Sequence, residues 1–136
     1  MDEPIKLVEI VTEALGTPRN DGSPSSALYE VPIQLSGTPS SPWAHLFVQT
    51  WDHPPQFTSR HRPGICEIVG DRIILTRTTV EEVRDTHIHT LKVVLDVVNK
   101  QIAETERDRA IRQQELLQKA DEEKQRRIDA AKQINF

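Results

Sequence analysis

All nine prolines and all five glycines of this 136-residue chain lie at or before Gly70. From Asp71 to Phe136 the sequence contains neither of the two residues that most often end a helix. The stretch 78-TTVEE-82 supplies a start. Thr78 and Thr79 can each cap, and each has a glutamate three residues later, as a capping box requires. The spacing predicts one unbroken helix from Val80 to about Gln133, roughly 80 Å long at ~1.5 Å per residue.

That helix has two different halves. Val80, Val83, His87, Leu91, Val94, Val98 and Ile102 step by threes and fours, which marks one apolar stripe able to pack on a sheet. Beyond Ile102 the stripe thins. The best heptad seam runs Ala110, Leu117, Ala120, Ile128, Ala131, Ile134, and Gln113, Lys124 and Arg127 interrupt it. Such a seam makes a weak coiled coil. Asp108–Arg112, Glu115–Lys119, Glu122–Arg126 and Glu123–Arg127 place an acid four residues before a base, and each pair is expected to support the helix slightly.

Charge marks the same division. Residues 1–99 carry 8 Lys/Arg against 13 Asp/Glu, net −5, and residues 100–136 carry 9 against 8, net +1. We therefore read residues 1–99 as a small α+β head domain and residues 100–136 as a charged helical extension. The core must come from the head.

Within the head, 5-IKLVEIVTEA-14 fits both periods, and its β-branched content favours a strand. The stretch 16-GTPRNDGSPSS-26 has nothing apolar to bury and reads as a mobile loop. Residues 27–35 read as a strand, with Pro32 placing it at an edge. Ser41 is expected to cap a helix with Pro42 in its first turn, running to Asp52 before His53-Pro54-Pro55 stops it. Trp43, Phe47 and Trp51 share one face of that helix, beside Leu46. In 65-ICEIVGDRIILTR-77 the pair Gly70-Asp71 forms a two-residue hairpin turn. That turn pairs Val69 with Arg72, Ile68 with Ile73, Glu67 with Ile74 and Cys66 with Leu75. Cys66, Ile68, Ile73 and Leu75 then face the core. The element order is β-β-α-β-β-α. We expect a four-stranded antiparallel sheet with both helices on one side and the last helix extended as an arm or coiled coil.

The net charge of −4 argues against a general nucleic-acid or membrane coat. No apolar run approaches the roughly 20 residues that span a bilayer, and no stretch near the start has the layout of a signal peptide. The lone cysteine, Cys66, cannot form an internal disulfide. A cytoplasmic protein with no membrane partner is the expectation.

Chemistry-bearing motifs are few. His87 and His89, two apart on a helix, diverge by about 200° and cannot chelate one metal. His87 falls on the core stripe, and Cys66 on the core face of the hairpin. His45 has no ligand at helical spacing. HExxH, CxxC and a Gly-rich phosphate loop are all missing from the sequence. No catalytic residue, metal ligand or cofactor is assigned. An enzyme would need His53 or His61 as general base, with no nucleophile or orienting acid in sight.

Two regions carry interaction chemistry. The first is the aromatic helix with the loop 53-HPPQFTSRHRPG-64. Trp43, Phe47, Trp51 and Phe57 suit a protein contact, although core packing explains the same cluster. Arg60, His61 and Arg62 suit phosphate or nucleic acid, although they also suit acidic neighbours inside the head, with Phe57 plugging the end of the core. The second region is the extension, where Leu117, Ile128, Ile134 and Phe136 are the apolar residues that gain from a partner. The reading is a non-catalytic interaction or oligomerisation protein, a homodimer or a docking module through its C-terminal helix. The alternative is a nucleic-acid-associated regulator using the Arg60-His61-Arg62 loop.

Overall fold

The computed structural model describes residues 4–24 and 26–136. Residues 1–3, in the expected head, and Ser25, in the expected loop 16–26, lie outside the described residues. Four strands are present, β1 (Leu7–Ile10), β2 (Tyr29–Leu35), β3 (Cys66–Val69) and β4 (Arg72–Thr78). Helix α1 (Ser41–Asp52) separates β2 from β3. After β4 come α2 (Val80–Glu82), a π turn (Val83–His87) and α3 (Ile88–Lys132). The fold is α+β, with one antiparallel sheet in the order β1-β2-β4-β3. Two units divide the chain, Met1–Lys100 and Gln101–Phe136.

The β3–β4 hairpin has the register expected from its turn, from Cys66↔Leu75 to Val69↔Arg72. Gly70 sits at φ +61, the sign a tight hairpin turn needs and one that side chains resist. Alternation does the rest. Val31, Ile33 and Leu35 on β2, Ile73 and Leu75 on β4, and Cys66 on β3 are all buried on one face. Trp43, Phe47 and Trp51 of α1 are buried, as are Val83, Leu91, Val94 and Val98 of the last helical segments. An indole bond ties α1 to α3, Trp43 Nε1–H donating to Asn99 Oδ1 at 2.9 Å. Asn99 in turn donates to the Ile5 carbonyl at 2.9 Å, fixing the approach to β1.

Several expectations are corrected. The first strand covers only Leu7–Ile10, because Thr12–Ala14 tighten into a 3₁₀ turn. Pro32 lies on an interior strand between β1 and β4, where an edge was expected. The sheet tolerates it because its nitrogen faces the place where β1 stops. Val11 N–H donates to the Pro32 carbonyl at 3.0 Å, while the Val11 carbonyl accepts from Ala14 N–H at 3.1 Å. The acceptor opposite the missing donor is thus already engaged. The cap of α1 is Ser40, whose hydroxyl accepts from Trp43 N–H at 3.3 Å, so Ser41 becomes the first helical residue. The helix after β4 starts as expected, with Thr79 Oγ1 accepting from Glu82 N–H at 3.1 Å, but the π turn interrupts it. None of the four acid–base pairs expected along residues 108–127 closes to an ion pair. The ion pairs among the described residues are Arg62–Glu82 and Arg84–Asp85, with His87–Glu82 joining them only where His87 is protonated.

Candidate functional site

The loop 53–64 is held to the head by a polar cluster that begins at Glu82. This residue lies at the last position of α2, one before the π turn. A π turn brings residues five apart onto one side, and here it sets His87 against Glu82. His87 Nε2–H donates to Glu82 Oε1 at 2.8 Å. Thr78 Oγ1–H donates to the same oxygen at 3.0 Å. Arg62 completes the set with a forked contact, Nε to Oε1 at 3.0 Å and Nη2 to Oε2 at 3.1 Å. Burial pushes the Glu82 carboxyl up, but the bonds from His87 and Thr78 and the Arg62 charge outweigh it and hold the group below its usual range. Burial pushes His87 below its ordinary value against the pull of Glu82.

Trp51 is the hub of the remaining contacts. Its indole N–H donates to the Arg62 carbonyl at 2.9 Å. Its own carbonyl accepts from His61 Nε2–H at 2.7 Å. The Trp51 ring lies 4.6 Å from the His61 ring and 5.5 Å from that of His87. Asp52 Oδ1 accepts from Gly64 N–H at 2.8 Å and closes the loop's far end. The Nδ1 atoms of His61 and His87 are buried with no hydrogen-bond partner among the described residues.

This geometry redistributes the candidate residues. Trp43, Phe47 and Trp51 are all buried at 3% exposure or less, so they serve the core and present no surface to a partner. Phe57 is 62% exposed and does not plug the core; it leans edge-on against His61 with centroids 5.5 Å apart. Arg60, His61 and Arg62 do not converge outward. The Arg62 guanidinium is taken by Glu82 and the His61 Nε2 by Trp51, which leaves Arg60 exposed. Cys66 is buried, and burial pushes its thiol up. No group of three or more His, Cys, Asp or Glu side chains that could hold a metal is found among the described residues. An open groove of about 430 Å³ runs between α1 and β3, lined by His45, Val48, Asp52 and Ile68 among others. Glu82 was missed as the partner of the loop, and Thr78 as a partner of Glu82. Only the capping-box spacing pointed at Glu82, and it pointed to a different role.

The second unit is simpler. Every residue from Ala103 to Phe136 is exposed. Leu116, Leu117, Ile128, Ile134 and Phe136 are among the exposed large apolar residues. No described helix is long and apolar enough to cross a membrane. No protein-family model, curated protein or solved structure matches the chain.

Proposed function

We propose that this is a non-catalytic self-associating protein, in which residues 1–100 form a folded head and the helix beyond them is the surface through which two copies meet. The observation that carries the reading is the exposure of Leu116 (68%) and Leu117 (66%) on a helix with no buried residue of its own after Ile102. A lone helix gains stability chiefly by burying an apolar face. Covering these side chains returns about 25 cal/mol for each Å² of apolar surface removed from water. The head, by contrast, has used Trp43, Phe47, Trp51, His61 and Arg62 internally, and of its aromatic and basic candidates only Phe57 and Arg60 stay exposed.

Sedimentation velocity on the full chain tests the proposal. The expected result is a concentration-dependent dimer, reduced to monomer by Leu116→Gln with Leu117→Gln at unchanged helix content. A full chain that stays monomeric at high micromolar concentration would reject it. So would a double variant that still dimerises.

A further inference from the structure

The charges on the second helix say how the two copies must lie, and this inference rests on the self-association proposed above. Written as heptads, the seam of residues 103–127 places Ala103, Ala110, Leu117 and Lys124 at one core position and Glu106, Gln113, Ala120 and Arg127 at the other. A parallel pair in register sets each residue against its own copy. Glu106 then meets Glu106, Lys124 meets Lys124 and Arg127 meets Arg127, all like charges at the centre of an interface.

We infer that residues 103–127 form an antiparallel two-stranded coiled coil whose two-fold axis passes beside Glu115. In that register Ala110 packs on Ala120 of the second copy, and Leu117 on its Gln113. Glu106 meets Lys124 in the seam. The flanking positions agree independently: Arg107 falls beside Asp121, Arg109 beside Glu123, and Leu116 meets Leu116 across the axis. The two-fold repeats every pair.

Neighbouring registers lose this match. A slip of one heptad in one direction sets Gln113 against Lys124 and Leu116 beside Glu123, and merely exchanges the Ala103–Arg127 layer for Ala110 against Arg127. A slip in the other direction sets Glu106 against Leu117 and Arg107 beside Gln114. Only the register centred on Glu115 pairs opposite charges in the seam and on both flanks. The structure leaves these groups uncommitted. No ion pair within the chain involves Glu106, Arg107, Arg109, Asp121, Glu123 or Lys124 among the described residues. Ile128, Ile134 and Phe136 lie beyond the paired segment.

Disulfide exchange on the full chain decides the orientation. Cys66 stays in place, since it is buried at 3% exposure. Chains carrying Ala110→Cys and Ala120→Cys, one of them mass-tagged, are mixed in a glutathione buffer and the products weighed. The expected product is the mixed 110–120 disulfide, about tenfold or more over either homodisulfide. Homodisulfides in excess mean a parallel pair; they overturn this inference and leave self-association standing. A statistical mixture overturns the fixed register. A chain that sediments as monomer overturns both ideas. Charge reversal gives a second reading that needs no disulfide. Glu106→Lys is expected to weaken dimerisation about tenfold, and Glu106→Lys with Lys124→Glu to restore it. Failure of the double reversal to restore it counts against the antiparallel register.

Discussion

Glu82 accepts hydrogen bonds from three side chains that the sequence scatters between positions 62 and 87, Arg62, Thr78 and His87. Its loss should therefore cost more than the loss of any one partner. Glu82→Ala is expected to destabilise the head by about 2–3 kcal/mol, since charged hydrogen bonds are among the stronger ones and their donors would be left unmet. Arg62→Ala should cost about 1 kcal/mol or less, because the Arg62 side chain is 40% exposed and solvent screens the pair. Urea titration of the two variants checks the order; an Arg62→Ala loss equal to that of Glu82→Ala would contradict it. The same cluster sets a pH dependence. The unfolded chain takes a proton at His87 near ~6.5, while the folded chain, with His87 held lower, resists it. The unfolded state thus binds more protons below that pH, and stability falls as pH falls. Glu82, also held low, adds to the loss further into acid. Urea midpoints should drop steadily from pH 7 to pH 5, and His87→Gln should flatten the first part of that slope. A midpoint that rises on acidification would overturn this sign.

Among the elements, α1 shows how burial decides between two readings of one pattern. Trp43, Phe47 and Trp51 recur every four residues, and the spacing alone fits a core face or a docking face equally well. The sheet and the last helix cover that face, so the side chains are core. Phe47→Ala is expected to cost about 3–5 kcal/mol, whereas His45→Ala on the exposed side should stay within about 0.5 kcal/mol. Thermal melts of the pair would show whether burial is assigned to the right side of the helix. The hairpin was legible to the residue because a two-residue turn and a period of two leave one register. Gly70→Ala should destabilise it by about 1–2 kcal/mol, through the positive φ that a Cβ opposes. Strand order was not legible. Pro32 argues for an edge only when its neighbours are unknown, and Val11 shows that an interior strand can accept proline where the adjoining strand ends. The π turn was hidden for a related reason. The stripe from Val83 to Val98 keeps helical spacing around it, and the Glu82 carboxylate that His87 meets there is also met by Arg62 from a distant loop.

For the whole molecule, every buried residue lies at or before Val98, and Ile102 is the last that is even partly covered. A chain ending at Glu104 is expected to keep a cooperative thermal transition within a few degrees of the full chain, measured at a concentration where the full chain is monomeric. Loss of that transition would mean that the second unit contributes to the fold of the first. The same truncated chain should sediment as a monomer at all concentrations, which separates folding from association.

The sequence by itself determined the element order, the hairpin register, the start of the last helix and the apolar stripe as far as Val98. Each of these rests on local rules: capping, turn chemistry, and periods of two and 3.6. Only the tertiary structure decided that the aromatic helix and two of the three basic-loop residues are spent inside the head. Whether a tryptophan is core or a guanidinium is paired depends on what reaches it from elsewhere in the chain. Local pattern records the side chain but not the partner that desolvates it.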